Sequence, residues 1–316
     1  MAENRQIRIA LAGNPNCGKT TMFNNITGAK QHVGNYAGVT VEKKEGHANF
    51  NGRDLLFIDL PGTYSLTARS LDELVARNVI VNDNPDVIVN VLDASNLERN
   101  LYLAAQLLEL EKPMVIALNM SDVAEEMGIK YDFKKMAELT GATIVSTVGR
   151  TNIGTKELLE ATISVAASQK APGVTVNYGD LLEGKIAELV AALEEAGTVT
   201  YPLRWIAIKL LENDPDVVEK VKGFANTEAV LQKAAAIREE IKDQVDLDIV
   251  FQEYRHRYAV EVYNQSLTQA PKEIETRSDR YDKILTHRIW GLPIFMIVMY
   301  LLFAFVNIVG GIPQGW

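Results

Sequence analysis

The chain is expected to fold as a mostly parallel α/β sheet of six strands with one antiparallel edge strand, followed by an all-helical region and a single apolar helix near its C-terminal end. Three observations predict this. From Gln6 to about Ser168, β-like apolar runs alternate with amphipathic helical segments, the pattern of a parallel sheet covered by helices on both faces. After Lys170-Ala171-Pro172-Gly173 the pattern changes to helix only. Residues 289–309 then run almost wholly apolar without a charge, and about 20 such residues cross a bilayer as a helix.

Strands are read at 7–12, 87–93, 114–119 and 142–146. Two more, 42–50 and 54–59, flank Asn51-Gly52, a strong two-residue hairpin turn, which supplies the antiparallel strand. In the helical region, 180–196 and 203–211 carry helical spacing. Asn226 is the expected cap of a long segment in which Val230, Ala234, Ile237, Ile241 and Val245 recur every three or four positions. At 316 residues the chain has room for two cored domains at about 150 residues each, divided as 1–170 and 171–275, with 276–316 as a juxtamembrane linker and first membrane helix. Arg280, Lys283, His287 and Arg288 precede the apolar run and Trp290 sits at its edge. This basic flank places the preceding domains in the cytoplasm.

A net charge of −9 argues against a broad nucleic-acid-binding surface. Cys17 is the one cysteine, so no internal disulfide or cysteine-based metal cluster forms, in keeping with a reducing compartment. His32, His47, His256 and His287 are scattered without metal-ligand spacing, Met1-Ala2-Glu3-Asn4 lacks a signal-peptide core, and Glu42-Lys43-Lys44-Glu45 reads as a solvated strand face.

The most informative stretch is Gly13-Asn14-Pro15-Asn16-Cys17-Gly18-Lys19-Thr20, a match to GxxxxGK[ST] between a strand and a helix that continues through Thr21 and Met22-Phe23-Asn24. Its glycines turn successive backbone N–H groups toward phosphate, the helix adds its positive end, Lys19 reaches the β/γ-phosphates and the Thr20 hydroxyl goes to Mg²⁺. Cys17 is expected to be a passive side chain of this loop. Asp59-Leu60-Pro61-Gly62 ends the second hairpin strand. There Asp59 holds the Mg²⁺ shell and the Gly62 N–H senses the γ-phosphate. Asn119-Met120-Ser121-Asp122 follows a strand. Asp122 accepts from the ring N–H and the amino group of guanine while Asn119 ties the loop down, and adenine would present an acceptor instead. Ser146-Thr147-Val148 ends the next strand and offers a backbone N–H to the guanine oxygen. Thr40, in the glycine-rich stretch 32–42, is the candidate switch threonine that closes on Mg²⁺ and γ-phosphate. Met120 stands where the usual guanine motif has lysine, which predicts modest nucleotide affinity and rapid GDP release.

Taken together, GNPNCGKTTMFN, VGNYAGVTVE, DLPGTYSL and NMSD resemble the amino-terminal G domain of bacterial ferrous iron transport protein B (FeoB), VGNYAGVTVE being the most specific of them. The likeness continues through the helical region, which resembles that family's GDI-like domain, and into DRYDKILTHRIWGLPIF, which resembles the start of its first transmembrane helix. Ferrous iron transport is an implication of this resemblance alone. The family carries a long polytopic membrane region that does not follow Trp316, so the chain is expected to be a fragment or a truncated product. The likeness implies the bacterial inner membrane as location. It leaves room for a homo-oligomer and for small cytosolic accessory proteins of the uptake system as partners.

Many small GTPases orient the attacking water with a glutamine directly after the Asp-x-x-Gly motif; here that residue is Thr63. Asn16 resembles the potassium ligand of cation-activated GTPases, FeoB among them, which implies K⁺-stimulated hydrolysis with backbone carbonyls around 35–38 completing the ion's shell. Asn16, Lys19, Thr40 and Gly62 are thus the expected catalytic group. Two other classes compete: a soluble GTPase acting on ribosome assembly, disfavoured by the acidic charge and the apolar tail, and a nucleotide-sensing module without significant turnover.

Overall fold

The computed structural model describes residues 6–28, 30–36, 39–197, 201–270, 285–287 and 289–310, with side chains of the last helix described as far as Asn307. Described residues up to Ala270 form one compact unit and those after it a second.

In the first unit a seven-stranded sheet runs in the order β2-β3-β4-β1-β5-β6-β8. The strands are β1 (Ile7–Gly13), β2 (Gln31–Asn35), β3 (Glu42–Phe50), β4 (Arg53–Asp59), β5 (Val87–Asp93), β6 (Met114–Asn119) and β8 (Thr143–Ser146). All neighbours from β4 to β8 pair in parallel, and β3 runs antiparallel to β2 and β4. The sheet is thus one strand wider than the expected six. The addition, β2, pairs Gln31 with Gly46 and Asn35 with Glu42; its sequence Gln-His-Val-Gly-Asn has no apolar alternation, so backbone pairing alone makes it a strand.

Alternation along the central strands separates two cores. Ile9 and Leu11 of β1 face a layer with Met22 and Phe23 of α1 (Lys19–Thr27) and Leu158 of α6 (Thr155–Ser168). Ala10 and Ala12 face the other way, toward α2 (Leu71–Asn82) and α3 (Leu97–Leu108). Ser70 starts α2 as a cap for the Glu73 N–H at 3.2 Å, and the Glu73 carboxylate accepts from Ser65 Oγ, Thr67 Oγ1 and the Arg69 N–H. One residue therefore organises the whole loop leading into the helix. Two short helices, α4 (Ser121–Glu126) and α5 (Phe133–Thr140), follow β6.

The helical region consists of α7 (Gly179–Ala196), α8 (Leu203–Leu211), α9 (Pro215–Lys222), α10 (Glu228–Ile241) and α11 (Leu247–Ser266). Asn226 is not the cap of α10: it is left-handed at φ 60 and Thr227 takes the cap position. The core on the α2/α3 side of the sheet continues without interruption into Leu182, Trp205, Ala234 and Phe251 of these helices, so the helical region shares a core with one face of the sheet. α11 lies along α3. There the fully buried Arg255 binds Glu109 at 2.7 and 3.0 Å and Glu212 at 2.5 Å, and the Tyr178 hydroxyl donates to Glu109. A second buried arginine, Arg77 of α2, reaches Asp214 (2.5 Å) and Asp216 (2.7 Å) at the start of α9. A two-stranded sheet of β7 (Lys130–Tyr131) and β9 (Leu267–Gln269) closes the end of α11.

In the second unit, α12 (Gly291–Gly310) is a helix with large apolar side chains exposed along it, among them Leu292, Phe295, Tyr300 and Phe303. Among the described residues, no helix is long and apolar enough to cross a membrane. Arg280, Lys283 and Arg288, the expected basic flank, lie outside the described residues.

Candidate functional site

The phosphate loop joins the end of β1 to the start of α1. A Cβ on Gly13 would stand 2.6 Å from the Val91 carbonyl oxygen, and one on Gly18, at φ +85, would stand 2.2 Å from Asn119 Nδ2. Neither position admits a side chain without moving a neighbour. Asn16 is also left-handed, at φ 66, in a region asparagine tolerates better than most residues. Its exposed side chain borders a cavity of about 500 Å³ lined by the loop, Asn14, Pro15 and Thr21 included, together with Gly62 and Met120. Cys17 is buried, and burial pushes its thiol up to about 11 against the opposing pull of Lys19. A protonated, enclosed thiol is inert.

A second cavity, of about 580 Å³, opens beside Lys19 and Thr20 and is bounded by Thr40, Asp59, Leu60 and Gly62. Lys19, Thr20 and Gly62 line both. The pair of cavities therefore extends from Thr40 and Asp59 at one end, over the loop, to Met120 at the other. The Lys19 ammonium binds the Asp59 carboxylate and donates to the Leu60 carbonyl at 2.5 Å, both in buried surroundings. Gly62 lies against the loop, its α-carbon side facing Pro15, where a Cβ would be 3.3 Å from Pro15 Cα. Ala37 and Gly38, whose carbonyls were expected in a cation shell, lie outside the described residues; Tyr36 O accepts from the Val39 N–H at 3.2 Å.

At the other end, Asn119 Nδ2 donates to the Cys17 carbonyl (2.8 Å) and its Oδ1 accepts from the Gly149 N–H (2.8 Å) and Thr147 Oγ1 (3.3 Å). One amide thus ties the phosphate loop to the loop after β8. Met120, at φ 57, caps α4, and Asp122 in the first turn of that helix pairs with Arg150 at 3.1 Å. Two of the backbone N–H groups of 146–148, expected to face the guanine oxygen, have protein partners. Thr147 N–H donates to Leu118 O (2.8 Å) and Val148 N–H to Ile153 O (3.0 Å), so a guanine oxygen must compete with β6 or with the loop itself for either donor.

Several contributors had no signature in the sequence. Gly149 orients Asn119, Arg150 neutralises Asp122, and Leu60 lends only its carbonyl; each acts through backbone or across loops, where residue type is uninformative. Thr63, in the place of the usual glutamine, is buried and donates its N–H to Gly13 O at 3.3 Å.

Residues 7–162 match the family described as ferrous iron transport protein B, and residues 178–268 match the FeoB cytosolic helical domain. Solved cytosolic domains of that family superpose on the chain. The T. maritima FeoB domain in a GDP form has a TM-score of 0.74 at 30% identity, covering 84% of this chain and 100% of that one. The chain belongs to the FeoB family. An S. thermophilus NFeoB mutant bound to GDP superposes on this FeoB chain with a TM-score of 0.76 at 34% identity, over 83% of this chain and 100% of that one. Among full-length relatives, the Fe(2+) transport protein A/FeoB fusion of Porphyromonas gingivalis is 38% identical over 98% of this chain and 38% of its own length. The Fe(2+) transporter FeoB of Staphylococcus aureus (strain MSSA476) is 39% identical over 93% and 44%. This FeoB chain therefore spans about two fifths of the length of the curated relatives it matches, and it carries their P-loop GTPase fold.

Proposed function

We propose that this chain binds GTP and GDP across the two joined cavities, hydrolyses GTP to GDP and phosphate, and forms the cytosolic part of a ferrous iron transporter. The observation carrying this reading is the run of predicted residues along one trough: Thr40, Asp59 and Gly62, then Lys19 and Thr20, then Met120. Asp122 and the 146–148 loop line neither cavity; they are assigned to its guanine end through Asn119, whose Oδ1 accepts from Thr147 Oγ1 and the Gly149 N–H. Phosphates would draw Lys19 away from Asp59, releasing a buried carboxylate beside two threonine hydroxyls. That is a hard oxygen donor set suited to Mg²⁺, which when bound neutralises charge on the β- and γ-phosphates. Asn16, exposed on the same trough, would hold K⁺ through its amide oxygen. K⁺ there adds positive charge where the transition state becomes more negative. Because Lys19, Asp122 and the N–H groups of Thr147 and Val148 all have protein partners to exchange, nucleotide affinity is modest and GDP leaves quickly.

Coupling to iron uptake follows from the family, whose named members are Fe(2+) transporters. Residues 289–309 are proposed to enter the inner membrane, with the G and helical domains in the cytoplasm; the exposed apolar face of α12 supports this.

The test is hydrolysis by the whole chain with Mg²⁺, comparing GTP with ATP and KCl with NaCl. Turnover of GTP alone, faster in KCl by about ten-fold, is the expected result, with Asn16→Ala abolishing the potassium response. Equal rates in both salts would remove K⁺ from the account, and binding without turnover would favour the sensing module.

A further inference from the structure

Thr63 leaves the hydrolytic site without the glutamine that usually orients the attacking water, and what holds the segment around it becomes a separate question. The structure supplies one constraint. The guanidinium of Arg99 lies 4.2 Å from the centroid of the Tyr64 ring, close enough for a cation–π contact. The Arg99 carbonyl in turn accepts from Asn14 Nδ2 at 3.5 Å, and the Thr63 N–H donates to Gly13 O at 3.3 Å. These contacts close a ring: from the phosphate loop to α3, from α3 to Tyr64, and from Thr63 back to the phosphate loop.

Arg99 is out of place by local rules. It sits in the first turn of α3, where the helix dipole disfavours a cation. Among the described residues no carboxylate pairs with its guanidinium, and Tyr64 is 43% exposed, so burial does not explain the pair. Asn14 adds a second anomaly: it is 2% exposed, yet its Oδ1 has no hydrogen-bond partner among the described residues. Its Nδ2 is turned to the Arg99 backbone carbonyl, and the residue lines the phosphate-loop cavity.

We propose that Arg99 is a positioning residue for GTP hydrolysis, clamping Tyr64 so that residues 62–64 stay against the phosphate loop. This rests on the hydrolysis reading above. The clamp holds the Gly62 N–H at the γ-phosphate side of the trough and confines the peptide beside it. It acts on the geometry of the reacting state and leaves the guanine end untouched.

The test uses the whole chain and the variants Arg99→Ala, Arg99→Lys, Tyr64→Ala and Tyr64→Phe, with the Arg99→Ala/Tyr64→Ala pair. Hydrogen exchange over residues 62–66 reads the clamp without turnover, and kcat, KM and GDP affinity read its effect on the site. Arg99→Ala is expected to speed exchange at Thr63 and to lower kcat by about three- to ten-fold, with KM and GDP affinity within about two-fold. Lysine and phenylalanine keep a cation and a ring, so each should retain more kcat than the matching alanine variant. The double variant should be little worse than either single. Unchanged exchange in Arg99→Ala would overturn the clamp, as would additive losses in the double variant. Faster exchange with unaltered kcat, or GDP affinity falling in step with kcat, would overturn the positioning role. An inactive wild type would refute the hydrolysis reading, while exchange would still decide the clamp.

Discussion

Arg255→Ala is expected to destabilise the first unit by about 3–5 kcal/mol, because it leaves the buried Glu109 carboxylate without a cation and Glu212 with Lys209 alone. Arg255 is fully buried on α11 and binds Glu109 at the end of α3 and Glu212 at the end of α8. Burial opposes its charge, but Glu109 and Glu212 hold the guanidinium protonated well above its ordinary range. Glu212 shows the other side of the balance: burial would raise its carboxyl, yet Lys209 and Arg255 pull it down to about 2 from 4.5. A group depressed in the folded state stabilises above its unfolded value and loses that contribution as the pH falls. Urea unfolding of the wild type should therefore lose up to about 3 kcal/mol from this group between pH 4.5 and 2, and Glu212→Gln should flatten that part of the profile. A midpoint for Arg255→Ala within about 1 kcal/mol of wild type at pH 7 would show that the network is not what joins α11 to α3.

Asp122→Asn is expected to weaken GDP binding by about 100- to 1,000-fold. Two hydrogen bonds from guanine to a carboxylate, at about 1.5–3 kcal/mol each, are lost or reversed. Asparagine keeps an acceptor for the ring N–H but turns a donor toward the exocyclic position, which suits the carbonyl of xanthine. The variant should bind xanthosine diphosphate more tightly than GDP in a competition assay. The Arg150 pair with Asp122 is 81% exposed on the arginine side, and such pairs contribute little. Arg150→Ala therefore serves as a control whose effect stays small. GDP affinity within about three-fold of wild type in Asp122→Asn would remove this residue from base recognition.

The parallel strands β1, β5, β6 and β8 and the phosphate loop were legible in the chain because their signals are contiguous: an apolar run, then glycines at fixed spacing, then a helix start. β2 was not, since an edge strand made by backbone pairing needs no side-chain pattern. The start of α9 was readable and missed, Asp214 capping a helix with Pro215 at its first position. α11 was hidden for a more specific reason. Its buried stripe is Phe251, Arg255, Ala259, Val262 and Ser266, and an arginine and a serine in that stripe erase the apolar period that would have marked the helix. At the site, Asp59, Lys19 and Asn119 could be named from their motifs, while Arg99, Gly149 and Arg150 could not.

By itself the sequence determined the α/β class, the place of the phosphate loop and the family resemblance, because each depends on residues adjacent in the chain. Only the tertiary structure decided that the helical region shares a core with the sheet, that Arg255 meets Glu109 across 146 residues, and that Arg99 stacks on Tyr64. Buried charge must find a partner or stay in water, and which distant segment supplies that partner is settled by packing; spacing along the chain carries no trace of it.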